Sequence, residues 1–155
     1  MLHRSLAFLP LVLLLSSLSV GCGGDVSDAP KTVPVSGIIT LDGNPLAGAN
    51  VLYVPTDPKV NAFSGTTNAE GKYSLSQGLN KGAVPGSYKV VVEHFVKADG
   101  ATVPAELSAD LEQMKMAGLA KPSLPDKYMN YASTDLTATV EAAKADGYDF
   151  KLTSN

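Results

Sequence analysis

The sequence predicts an all-β chain, a seven-stranded antiparallel sandwich with one inserted amphipathic helix. Three observations carry that prediction. Short runs rich in Val, Ile, Thr and Tyr recur along the chain, each closed by Gly, Pro, Asn or Asp. Several runs alternate polar and apolar residues, the period of a half-buried strand rather than of a helix. The composition, 45% hydrophobic with 14 Gly and 10 Pro in 155 residues, gives enough apolar surface for one core and enough turn formers to cut it into many pieces.

The first strand covers residues 33–41 and runs into Asp42-Gly43-Asn44-Pro45, whose Asp-Gly pair suits a tight hairpin. Pro34 marks a strand start or a sheet edge, because it cannot donate to a ladder. Residues 49–54 form the second strand, closed by Pro55 and Pro58, and residues 62–67 the third. The turn Asn68-Ala69-Glu70-Gly71 leads into the fourth, 72–75. Pro85-Gly86 precedes the longest, 87–96. Residues 136–141 alternate again, and after Ala145-Asp146-Gly147 the segment 148–152 completes the seven. One segment departs from the rhythm. Leu107, Leu111 and Met114 recur at i, i+4 and i+7 among Glu106, Asp110, Glu112, Gln113 and Lys115, which predicts a helix over about 104–117. Pro104 stands near its start and Gly118 at its stop. Its apolar stripe is expected to cover an edge or face of the sandwich; a lid over a groove and a docking helix are the functional alternatives.

The N-terminus has the layout of an export signal. Met1-Leu2-His3-Arg4 is a short basic start, residues 6–15 are an apolar run broken by Pro10, and Ser16-Ser17-Leu18-Ser19-Val20-Gly21 precede Cys22. The run is too short for a permanent membrane helix. Gly21-Cys22 resembles the lipobox of bacterial lipoproteins, although Ser19 stands where that family prefers Leu. The resemblance implies cleavage before Cys22, a thioether-linked diacylglycerol on its sulfur and acylation of its new amine, which together anchor stably. It also accounts for a lone Cys in an exported chain. Residues 1–21 are then a signal peptide, 22–32 a lipidated Cys and a small, polar, flexible tether, and 33–155 the domain.

Removal of the leader takes away Arg4, leaving eleven Lys and no Arg against 15 acids. A net charge near −4 without a guanidinium offers nothing for phosphate or guanine recognition, so no nucleic-acid partner is expected. The single Cys excludes a disulfide framework and a thiolate zinc site.

The turns and strands carry a second resemblance. Val35-Ser36-Gly37, the stretch from Leu41 through Gly43, Pro45, Leu46 and Gly48 to Ala49, and Val51–Val54 resemble the opening of carboxypeptidase regulatory-like domains. Thr67-Asn68-Ala69-Glu70-Gly71-Lys72-Tyr73-Ser74-Leu75 resembles that family's hairpin, and Val84-Pro85-Gly86-Ser87-Tyr88-Lys89-Val90 its following strand. The tail, Leu124-Pro125-Asp126-Lys127-Tyr128 and then 133–140, is similar to small bacterial lipoproteins built on this domain. The resemblance implies a transthyretin-like (prealbumin-like) β-sandwich. In that frame Gly37, Gly43, Gly48, Gly71 and Gly86 serve turns or close backbone approaches. Val51, Tyr73, Leu75, Tyr88 and Val90 face the core.

No catalytic constellation is expected. His94 is the one histidine left after processing, and its neighbour Glu93 points to the opposite sheet face. The transthyretin-like hydroxyisourate hydrolases carry histidines and a Tyr-Arg-Gly-Ser end; this chain ends Lys151-Leu152-Thr153-Ser154-Asn155, and that activity is not carried over. In the metallocarboxypeptidases the domain is an accessory, so no peptidase activity follows. Asp25/Asp28 and Asp146/Asp149 are the close Asp pairs, short of the oxygen set calcium needs. Lys31, Glu93 and Asn155 are the thin candidates for an isopeptide of the kind seen in collagen-adhesin B-type repeats. No metal, cofactor or enzymatic role is therefore expected. What remains is an envelope module that binds a protein or a glycan, with Tyr53, Tyr128 and Tyr131 as candidate aromatic platform. The alternative is a structural, adhesive envelope lipoprotein without a specific ligand.

Overall fold

The computed structural model of the chain describes residues 31–103 and 108–155. The predicted leader, Cys22 and most of the tether lie outside the described residues, as do residues 104–107 at the head of the predicted helix. Two larger sheets close on a shared core. The first is built around β1 (Ser36–Leu41), with β5 (Lys72–Ser74) and β2 (Asn44–Pro45) antiparallel to it and β12 (Phe150–Leu152) also paired with it. The second runs β11 (Thr137–Val140), β8 (Gly86–Glu93), β3 (Asn50–Pro55), β4 (Phe63–Thr66), β6 (Ser76–Gln77) and β7 (Asn80–Lys81), antiparallel throughout. A third, two-stranded ribbon pairs β9 (Phe95–Lys97) with β10 (Ala120–Pro122).

The alternation in sequence becomes alternation in burial. Val51 and Tyr53 on β3, Val90 and Val92 on β8, Ile39 on β1 and Leu152 on β12 are at most 2% exposed. Each such side chain contributes about 1.5–3 kcal/mol of apolar transfer, less the order it loses. The predicted inward set Val51, Tyr73, Leu75, Tyr88 and Val90 is buried throughout. Gly37 shows why one motif glycine tolerates nothing larger: a Cβ there would sit on the Tyr148 carbonyl and against the Tyr73 ring. Gly71, at φ +71, turns the chain into β5 while its carbonyl accepts the Ile39 N–H at 2.9 Å.

The structure corrects several expectations. Among the described residues twelve strand segments stand where seven were predicted: the strand 87–96 divides in two, and short pairings at 44–45, 76–77, 80–81 and 120–122 carry too few residues to show a period. The last strand is parallel to β1, not antiparallel. After β11 the chain returns beside the start of β1: Ser36 N–H donates to the Ala145 carbonyl, Tyr148 N–H to that of Ser36, and Ile38 N–H to the Asp149 carboxylate. Alternation reports burial, not the direction of a partner. The predicted strand 87–96 breaks at His94, where β3 runs out: Glu93 faces Asn50, the first residue of β3. The helix α1 spans Ser108–Met116 among the described residues, with Leu111 and Met114 only half-buried, so its stripe packs on the β9–β10 ribbon and not across the sandwich. A second, unpredicted helix α2 covers Asp126–Met129 and buries Tyr128.

Candidate functional site

Of the three platform tyrosines, Tyr53 lies at the centre of the core with no exposed surface. Its hydroxyl meets that of Tyr73 at 2.8 Å, and Tyr73 donates to the Tyr148 carbonyl at 2.6 Å. This polar chain ties β3 of one sheet to β5 and the approach to β12 of the other. Burial pushes both phenols well above the ordinary tyrosine range, so they stay neutral. Tyr128 is 6% exposed, with its hydroxyl within 3.3 Å of Thr153 Oγ1. Tyr131 alone of the three is accessible, at 48%, and Lys89 Nζ sits 4.9 Å over its ring while donating to its carbonyl. The three do not form one platform. Tyr53 and Tyr128 are drawn inward because a large ring in the core buries much apolar area, while Tyr131 stays outside.

His94 occupies the break between β8 and β9 and is 6% exposed. Its Nδ1 is hydrogen-bonded to Ser123 Oγ, and Ser123 in turn donates its N–H to the His94 carbonyl at 3.0 Å. Among the described residues nothing hydrogen-bonds its Nε2. Burial holds the imidazole below its ordinary pKa, with the Ala47 backbone opposing in smaller measure. Glu93 takes no part: its Oε2 accepts from Asn50 Nδ2 at 3.2 Å. Ser123 carries no sequence signal, because its partner lies 29 positions away. The pair clamps the two feet of the segment between them.

Cys22 and the pair Asp25/Asp28 lie outside the described residues. Asp149 of the second Asp pair is spent on the Ile38 N–H. Lys31 is exposed, Glu93 is bonded to Asn50, and the carbonyl of Asn155 accepts from Lys127 Nζ at 2.5 Å, so each of the three isopeptide candidates has a separate setting. Among the described residues no three His, Cys, Asp or Glu side chains group as metal ligands.

Apart from Leu79 on the β6–β7 hairpin and Tyr131, the large apolar residues exposed among the described residues lie on the excursion β9–α1–β10. Lys115 is held on one side by Glu112 at 2.7 Å and on the other over the Phe95 ring at 4.7 Å, which seats α1 on the ribbon. Beyond it Met116 is 81% exposed and Leu119 56%, with Ala117 and Gly118 exposed between them. Gly118, at φ +68, ends the helix as predicted, and its N–H donates to the Lys115 carbonyl. Met114 and Leu119 border a groove of about 390 Å³ completed by Lys97, Ala98 and Asp99. Leu119 was missed by the periodicity, since it falls after the helix stop. Compared with family models, with curated proteins and with solved structures, the chain finds no match in any of the three.

Proposed function

We propose that this chain is a non-enzymatic, lipid-anchored protein of a bacterial cell envelope. In this reading its carboxypeptidase regulatory-like, transthyretin-like sandwich is a scaffold, and the β9–α1–β10 excursion binds an envelope protein. The anchor reading rests on Gly21-Cys22 behind a basic, apolar leader. The family reading rests on the motif glycines and prolines, two of which, Gly37 and Gly71, stand where a close approach and a positive φ require them. A protein partner is favoured over a glycan because Tyr53 and Tyr128 are buried.

The observation that carries the binding reading is the exposure of Met116 and Leu119 side by side on a helix end that no described residue covers. Exposed apolar residues gathered at one place, with Lys97, Lys115 and Lys121 nearby, have the make-up of an interface core and its polar rim. Two experiments test the reading. Intact-mass measurement of protein from its native membrane is expected to show a chain starting at Cys22 with added acyl mass, lost in Cys22→Ser. A photo-crosslinking residue at position 116 or 119 is expected to capture one defined envelope protein in cells, while the same residue at exposed Thr139 on β11 does not. An unmodified mass overturns the anchor; equal labelling at all three positions overturns the binding surface.

A further inference from the structure

We infer that the sandwich stands on the membrane by one pole, the pole where the chain from Cys22 joins it, with Leu79 as the apolar contact to an anionic bilayer. This rests on the lipid-anchor reading above. The joining point is fixed by Val33, which exchanges two backbone hydrogen bonds with Ala83 at 2.8 and 2.9 Å. Ala83 follows directly on the β6–β7 hairpin. Thr32, the last tether residue, lines a concavity of about 260 Å³ together with Lys59, Gln77 and Asn80 of the same pole.

The hairpin loop is Gly78-Leu79, between the paired Gln77 and Asn80. Gly78 has φ +57 and Leu79 does not have a positive φ, the arrangement of a type II′ hairpin with Gly at its first central position. The second central position makes no demand for an apolar residue; small polar residues serve it. Yet it holds Leu79, which is fully exposed and packs on none of the described residues. Lys81 follows it on β7, and Lys59 and Lys31 lie at the same end, against Asp57, whose carboxylate is engaged by the Lys59 N–H at 2.9 Å. Further round, Lys144 Nζ sits 4.8 Å over the Tyr148 ring, with the exposed acids Glu141 and Asp146 on the same segment. An apolar tip with lysines behind it fits the boundary between headgroups and acyl chains.

Chain length selects this pole. The eleven residue steps from Cys22 to Val33 span at most about 36–40 Å when fully extended. A coil of that length, the form its composition predicts, averages about 17–20 Å. Strand β8 alone, seven residue steps from Gly86 near this pole to Glu93 at the foot of the excursion, is about 23 Å long. The far pole, with α1, is therefore out of the tether's ordinary reach and directed away from the bilayer.

The chain has no Trp, so one introduced Trp reports alone. Lipidated protein carrying Leu79→Trp, and separately Met116→Trp, is reconstituted into vesicles of phosphatidylcholine with a minority of phosphatidylglycerol, with and without brominated acyl chains. Leu79→Trp is expected to emit to the blue of its vesicle-free value and to be quenched by the brominated lipid, while Met116→Trp does neither. Acylated protein that floats with the vesicles but emits from position 79 as in water overturns the orientation and leaves the anchor intact. A blue shift without quenching means that protein covers Leu79, a second copy included, and also overturns it. Quenching at both positions shows a domain lying flat and overturns the upright orientation as well. Protein without acyl mass that fails to float overturns the anchor, and this inference with it.

Discussion

Replacing Tyr73 by Phe removes one oxygen from the middle of the sandwich and leaves the ring. The Tyr73 hydroxyl has a single proton, and it is spent on the Tyr148 carbonyl at 2.6 Å; the 2.8 Å bond to Tyr53 therefore uses the Tyr53 proton. Tyr73→Phe strands two groups at once, the Tyr53 O–H and the Tyr148 C=O. Tyr53 is 0% and Tyr148 6% exposed, so water does not replace the lost partner. At about 1–3 kcal/mol for each unsatisfied buried group, and with both groups on one oxygen, the expected loss is about 2–3 kcal/mol. For a domain of about 120 residues this lowers Tm by roughly 8–12 °C. Tyr53→Phe removes only the donor and leaves the Tyr73–Tyr148 bond in place, for a loss of about 1 kcal/mol. Urea unfolding followed by circular dichroism checks the order, with the slope m unchanged in both. The double variant is expected to lose no more than Tyr73→Phe alone, since the stranded donor has gone with Tyr53. A Tyr73→Phe loss equal to or smaller than that of Tyr53→Phe refutes the proposed direction of the chain.

Three further outcomes follow from the same structure. Gly37→Ala drives a methyl onto the Tyr148 carbonyl and is expected to destabilise by roughly 3 kcal/mol, read as a lower urea midpoint. Burial lowers the His94 pKa, so the folded state prefers the neutral ring; its contribution is full above the unfolded value near 6.5 and is lost as pH falls through that value toward the depressed folded one. Urea midpoints taken downward from about pH 7.5 are expected to decline over that window, and His94→Gln to flatten the decline. At the other end, burial raises Tyr53 and Tyr73, so stability holds up to the unfolded tyrosine value near 10 and is lost as pH climbs beyond it; phenolate absorbance from these two is expected to appear only with unfolding.

What the sequence revealed and concealed divides along a physical line. Residue type and turn signals placed β1, β3, β4, β8 and β12 within a few residues, and the period of two placed β5 and β11, which have one face on the core and one outside it. The inward positions Val51, Tyr73 and Val90 came with that period. Partners distant in sequence did not. Nothing local tells that Tyr148 offers its carbonyl to Tyr73, 75 positions away, or that Ser123 will close on His94. Tyr53 read as a platform candidate because Tyr is amphipathic, and only the arrangement of both sheets shows its hydroxyl satisfied from within. Helix α2 had a local sign in Pro125-Asp126, a rigid start followed by an acid in the first turn, too short to yield a period. Leu79 was not singled out in the sequence either, although its neighbours Gly78 and Asn80 are turn formers that set it outside.

The clamp between His94 and Ser123 has a consequence for how such a domain diversifies. The two residues that bracket the excursion meet each other, by side chain and by backbone, so the sandwich is closed beneath it. Whatever is inserted above begins and ends at nearly one point. Lengthening such an insertion costs little, about 0.6 kcal/mol for each doubling of the loop. The excursion is thus an exchangeable cartridge: it can be shortened to a plain turn or swapped for another without renegotiating the core. Variation among descendants of this fold should therefore gather in that one socket, while the tyrosine chain beneath it stays as it is.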